Sequence, residues 1–268
     1  MTTAIVESLA HGWICALPVE AECALYMLDV RHRGIFPFVY SDNNQYEASK
    51  IAGHNVVIAS LPKKPIGSVS LSKPMVGLMV GIGAEVPGRA LEPDIRLGDV
   101  ILASSSDKSI GPVGVIGWQP DTHRRLQNAI QSIERDTQVD GIHDFLQHFP
   151  YPGVDKDKLY MGDDLIERLP RPSQEPVVHY GLVASDDKII KNAALRDKLR
   201  DQYGIICFEM EAAGLMTIMP VAVIRGVSDY ADSHKNDGWH YCPAATAAAY
   251  AESLLLKIGP EQPPSLSG

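Results

Sequence analysis

Three acidic positions in this chain each come just after a short apolar run. Glu20 follows Gly12–Pro18, the pair Glu209 and Glu211 follows Ile205–Phe208, and Asp229 follows Val221–Val227 and Ser228. A carboxyl in such a place can donate a proton, activate water or accept hydrogen bonds from hydroxyls. In open α/β sheets ligands bind just beyond the carboxyl ends of the strands, which is where these groups fall if the runs are strands. Gly81 and Gly83 end another such run, Val76–Ile82, and glycines there let the backbone approach a ligand closely. Each feature also has an ordinary structural reading. Ser228 and Asp229 are common turn and cap residues, Glu20 and Glu22 suit the first turn of a helix, and paired glycines serve tight turns.

The runs that must position these groups are short and rich in β-branched residues, as strands buried on both faces are. They cover 12–18, 55–60, 76–82, 177–184, 205–208 and 221–227, with a further strand after the turn Asp94–Asp99 and two β-like segments, 36–40 and 45–51, flanking Asp42–Asn44. Helical spacing predicts helices over 19–28, 123–133, around 142–148, over 191–203, from Ala212 and over 244–256. The stretch 105–175 is otherwise turn-rich, and connections of that length are commonly functional. Strands alternating with helices predict an α/β fold, a single domain with a mostly parallel, mixed central sheet flanked by helices. The domain is expected to span 1–259, followed by a disordered Pro/Ser/Gly tail at 260–268.

A net charge of −9 over 268 residues argues against broad binding to nucleic acid or anionic membrane but leaves room for a local basic pocket. No apolar stretch reaches the length of a membrane span and no signal peptide is visible. Cys15, Cys23, Cys207 and Cys242 have neither metal-ligand nor disulfide-framework spacing, which predicts a reducing, cytoplasmic protein without a metal, and Cys15 and Cys207, inside apolar runs, read as small buried hydrophobes.

Phe208-Glu209-Met210-Glu211-Ala212-Ala213-Gly214 followed by Val223-Ile224-Arg225-Gly226-Val227-Ser228-Asp229 resembles the paired signature of the nucleoside phosphorylase/nucleosidase superfamily. Ala16–Glu20, Val80–Gly83 and Ile95–Val100 fall where that family has its other motifs, in the same order. The resemblance runs from about Gly12 to Leu256 and is strongest to the fungal nucleoside phosphorylase-like domains. It implies cleavage of the N-glycosidic bond of a purine nucleoside or nucleotide, with no cofactor and commonly in a homo-oligomer. In that family's terms Asp229 is the acid to the base, oriented by Ser228, and an Asp there points to adenine. Glu211 takes the ribose hydroxyls, with Glu209, Met210, Phe208, Gly81 and Gly83 around the substrate and Ile190, beside Ile189, flanking the base. Glu20 matches the water-activating carboxylate of the hydrolytic branch. His234, Lys235, Trp239 and His240 follow Asp229 on a segment that could close over the substrate.

Three departures bear on the reaction. The position two residues before Gly81, an Arg in the hexameric phosphorylases, is Met79, and their Gly-Asp-Pro phosphate loop is missing. Phosphorolysis needs cationic and amide donors around the phosphate, so hydrolysis is the expectation and a phosphate-dependent phosphorylase the alternative. The connection 61–75 is also shorter than the whole helix that relatives carry there, which keeps a non-catalytic, adenine-nucleotide-binding module as a further alternative.

Overall fold

The computed structural model describes residues 11–32, 44–61, 76–104, 114–116, 124–135, 148–185, 190–212, 215 and 221–259. The expected tail at 260–268, the connection beyond Leu61, the segment 36–40 and most of the helix expected at 142–148 lie outside them. In chain order the elements are β1 (His11–Cys15), α1 (Pro18–Tyr26), β2 (Val30–Arg31), β3 (Gln45–Ile51), β4 (His54–Ser60), β5 (Val76–Glu85), β6 (Val100–Ala103), β7 (Gly114–Ile116), α2 (Arg124–Arg135), β8 (Leu159–Met161), β9 (Asp164–Ile166), β10 (Val178–Ser185), α3 (Ala193–Tyr203), β11 (Ile205–Glu209), β12 (Val221–Asp229) and α4 (Tyr241–Ile258).

The apolar runs become strands because each can bury both faces at once. All nine residues of β12 are buried, as are all five of β1 and all four of β6. The sheet order is β11-β10-β6-β12-β5-β1-β4-β3-β2, with β7 on β10. Strands β4, β1, β5 and β12 form one parallel block and β6, β10 and β11 a second. An antiparallel seam, β12 against β6, joins them.

β5 is long, and its last residues, Ala84 and Glu85, pair antiparallel with Phe208 and Cys207 of β11. The strands β5, β12, β6, β10 and β11 therefore close on themselves at that end, which removes free edges there. This curl brings the ends of β5, β11 and β12 to one place, so residues far apart in sequence meet. One apolar core, with Trp13, Leu78, Leu102 and Ile224 from the sheet and α4's alanines against it, fills one face. A second, around Ile14, Met79, Ile101, Val223 and Val227, fills the other. In the described part of the turn-rich stretch, residues 148–175, β8 and β9 make a separate hairpin. Among the described residues no helix is long and apolar enough to cross a membrane.

Candidate active site

Glu20 lies at the third position of α1, just beyond β1. Its Oε2 accepts hydrogen bonds from the backbone N–H of Ala16 (2.8 Å) and Leu17 (2.9 Å), as a helix-capping glutamate does. Its Oε1 accepts from Ile82 N–H (2.8 Å) on β5. Three of about four lone-pair directions are thus taken, and the carboxylate is fixed with one left open. Burial pushes the Glu20 carboxyl up, while Arg225 and the three backbone donors pull it down.

What Glu20 faces is Arg225. A Cβ on Gly81 would lie 2.2 Å from Glu20 Oε1 and 2.5 Å from Arg225 Nη1, so the glycine leaves the space in which these two groups converge. Arg225 is 1% exposed on β12. It donates to Glu209 Oε2 at 2.5 Å and reaches Glu211 Oε2 at 3.5 Å. Glu209, at the end of β11, also accepts from the backbone N–H of Glu211 (3.0 Å) and Ala212 (2.9 Å). Its carboxylate is therefore spent on holding Arg225 and the turn that presents Glu211. Burial pushes Glu211 up to about 7, with Arg225 pulling down and the charges of Glu209 and Glu20 adding to the rise. One guanidinium thus sits among three carboxyl groups.

Arg225 is the residue that sequence reasoning passed over. Its signal was present, because an arginine inside a continuous buried apolar run must have partners.

The strand register slips between Val227 and Asp229, leaving Ser228 without a partner on β5. Such a bulge re-aims the side chains beyond it. Ser228 Oγ lies 3.2 Å from the Gly83 carbonyl and 3.1 Å from Asp229 Oδ2, and Asp229 Oδ1 accepts from Ala231 N–H at 3.0 Å. Lys235 Nζ is 3.1 Å from Asp229 Oδ2. Cys207 of β11 links the two groups of acids: burial pushes its thiol up, and the charges of Arg225, Glu209 and Asp229 all reach it. Gly83 packs the strands together, since a Cβ there would lie 2.8 Å from Cys207 Sγ and 3.1 Å from Arg225 Cβ.

Phe208 and Ile190 share an apolar cluster with Ala231, two residues past Asp229. Met210, by contrast, is 38% exposed. Of the residues expected to close over a substrate, Trp239 is fully buried, its Nε1 donating to the Lys156 carbonyl at 3.2 Å, so it is a fixed part of the core. His234 stacks on Tyr160 with ring centroids 3.8 Å apart. A cavity of about 260 Å³ opens beside Asp229, lined by Leu97, Lys156, Lys158, Tyr160, Ser228–Tyr230, Asp232 and His234–Asn236. Glu20 and Glu211 do not line it, so the acids border different parts of the strand ends. Among the described residues no cluster of His, Cys, Asp or Glu is arranged to hold a metal ion.

No family model matches the chain. It is 33% identical over 300 residues to a nucleotide-binding leucine-rich repeat (NLR)-like protein of Hyaloscypha variabilis, covering 95% of this chain and 30% of that protein. It is 32% identical over 85 residues to the ATP nucleosidase Cap17 of Escherichia coli, covering 30% of this chain and 17% of that one. The chain therefore spans less than a third of the length of these curated relatives. Among solved structures it superposes on futalosine hydrolase of Helicobacter pylori with a TM-score of 0.61 and 16% identity, over 92% of this chain and 97% of that one. The 5′-methylthioadenosine/S-adenosylhomocysteine nucleosidase of Neisseria meningitidis, in complex with methylthio-immucillin-A, gives 0.60 and 16% over 92% and 98%. That of Streptococcus pneumoniae, with a transition-state inhibitor, gives 0.58 and 18% over 92% and 99%.

Proposed function

Because the chain has the nucleoside phosphorylase/nucleosidase fold, we propose that it hydrolyses the N-glycosidic bond of adenine nucleosides or nucleotides. The observation that carries this reading is the meeting of Glu20, Glu209 and Glu211 around Arg225, with Asp229 four residues further along the same strand. Four residues of strand span roughly 13 Å, a gap that a nucleoside and the reach of two side chains can bridge.

The chemical problem is a poor leaving group and a cation-like sugar in the transition state. Asp229 gives its proton to N7 as the C1′–N9 bond breaks and the bonding pair moves into the purine. Glu211 accepts hydrogen bonds from the ribose hydroxyls, and these strengthen as positive charge grows on the sugar. Water adds its oxygen to C1′ and passes a proton to Glu20 through that residue's open lone pair, a division between acid and base like that of inverting glycosidases. Phe208 and Ile190 form an apolar wall for the base.

The charge balance favours water over phosphate as nucleophile. Three carboxyl groups surround one guanidinium, so a phosphate dianion at this point would meet like charge, whereas a neutral water would not. The likeness to an ATP nucleosidase supports a nucleotide as the substrate.

The test is chromatographic. Adenosine, inosine, guanosine, methylthioadenosine and ATP are incubated with the protein, with and without phosphate. Free adenine should appear at the same rate in both conditions, and Asp229→Asn should lower it about 100-fold or more, the contribution of a positioned general acid. Strict dependence on phosphate, with ribose 1-phosphate as product, would overturn hydrolysis.

A further inference from the structure

The cavity beside Asp229 has a chemistry of its own. Lys156 and Lys158 come from the segment before β8, and Lys235 from the segment after β12. In a chain of net charge −9, three lysines line one space of about 260 Å³. Neither Lys156 nor Lys158 has a carboxylate partner among the described residues. The opposing carboxylates are Asp229, on which Lys235 rests, and Asp232, which has the fully buried Arg196 4.0 Å behind it.

The cavity is also built rather than incidental. Trp239 Nε1 donates to the Lys156 carbonyl, and Tyr230 donates to Asp157 Oδ1 at 2.5 Å. Asp157 pairs with Arg168 at 2.8 Å, both of them buried side chains. Bonds at the Lys156 carbonyl and at the Asp157 side chain thus hold the segment that carries the two lysines against the end of β12.

In the anti form of a purine nucleotide, N7 and the 5′-phosphate chain lie on the same side of the molecule, which is why one metal ion can bridge them in solution. A group that reaches N7 is therefore next to the phosphates. We propose that Lys156, Lys158 and Lys235 receive the 5′-phosphate chain of a nucleoside polyphosphate, and that the arriving phosphates draw Lys235 off Asp229. The proposal rests on the reading of Asp229 as the acid. While Lys235 holds Oδ2, that oxygen accepts from an ammonium and does not donate to a base. A polyphosphate offers the ammonium a partner with more charge, and with the right substrate in place Oδ2 loses that ammonium, takes up a proton from solvent while Ser228 turns to the Gly83 carbonyl, and gives that proton to N7. A neutral nucleoside lacks that means, so Lys235 acts as a specificity-determining residue.

Two measurements test this. The first is calorimetric binding of inorganic tripolyphosphate, which involves no turnover. The protein should bind it, and replacing both Lys156 and Lys158 with Ala should weaken binding about 100-fold, at roughly a decade for each charge-assisted hydrogen bond removed. The second compares ATP with adenosine in the Lys235→Met variant. KM for ATP should rise about tenfold while kcat for adenosine increases, so that selectivity narrows from both sides. A merely structural lysine would shift both substrates alike, and that result, or failure to bind tripolyphosphate, overturns the proposal. Tripolyphosphate binding through these lysines with no base released from either substrate would overturn the hydrolytic reading and support the phosphate site.

Discussion

Arg225 shows how a single residue can organise a site without touching the bond that breaks. Its guanidinium is buried and held in its charged form by Glu209, Glu211 and Glu20, against the burial that opposes it. Glu209 and Asp229 could be picked out from the sequence because each ends an apolar run. Which carboxyl does structural work could not, because Glu209 and Glu211 are two residues apart and differ only in what they touch. Glu211 gives a pH prediction. Its carboxyl rises from an ordinary 4.5 to about 7 in the folded protein. Between those values the native state binds more protons than the unfolded one, so unfolding free energy should fall as pH rises from 4.5 to 7. Glu20, raised too, adds to the same slope. Glu211→Gln should flatten it in denaturant titrations across that range. For activity the direction reverses: ribose hydroxyls need the carboxylate as acceptor, so kcat/KM should fall below about pH 7. Equal kcat/KM at pH 5.5 and 7.5 would count against Glu211 in this role.

Among the elements, β5, β11 and β12 were all legible, since unbroken β-branched runs bury well on both faces and read as strands. Their closure onto one another was not, because it depends on the pairing of Ala84 and Glu85 with β11, a meeting of distant segments. The segment 148–171 was legible least. Its order comes from side chains that reach out of it, Arg168 to the Ile95 carbonyl at 3.2 Å and Arg171 to Asp99, where Arg171 donates at 2.7 and 2.8 Å. Nothing in local periodicity reports such bonds. The Asp157→Ala variant should leave the buried Arg168 with only the looser pair to Asp94 at 3.6 Å and cost about 3 kcal/mol. Tyr230 would lose its acceptor as well. Denaturant unfolding measures the loss, and hydrogen exchange should show it concentrated in 148–171 rather than in β1 or β4. Because this segment carries Lys156 and Lys158, KM for ATP should rise in the variant more than KM for adenosine.

At the scale of the whole molecule two fields compete for an anionic substrate. The net charge of −9 repels a polyphosphate from every side, while the lysine-lined cavity attracts it from one. Which wins depends on distance, because at about 0.1 M salt charges beyond roughly 10 Å are screened. The three ammonium groups act within a few ångströms of the bound phosphates, and most of the acidic surface does not. At physiological salt the local field should therefore decide affinity, and the global one should slow the approach only when salt is low. KM for ATP should rise steadily between 0.1 and 0.5 M salt, taken as roughly one to several times the physiological range, because direct ammonium–phosphate pairs compete with dissolved ions. KM for adenosine, which is uncharged, should stay level across the same series. With Lys156 and Lys158 both replaced by Ala, the ATP series should become shallower, since fewer charged pairs remain to be screened. A salt series that moves ATP and adenosine together would instead mean that ions act on the fold or on the acid cluster around Arg225, and the cavity beside Asp229 would then have no part in selecting the substrate.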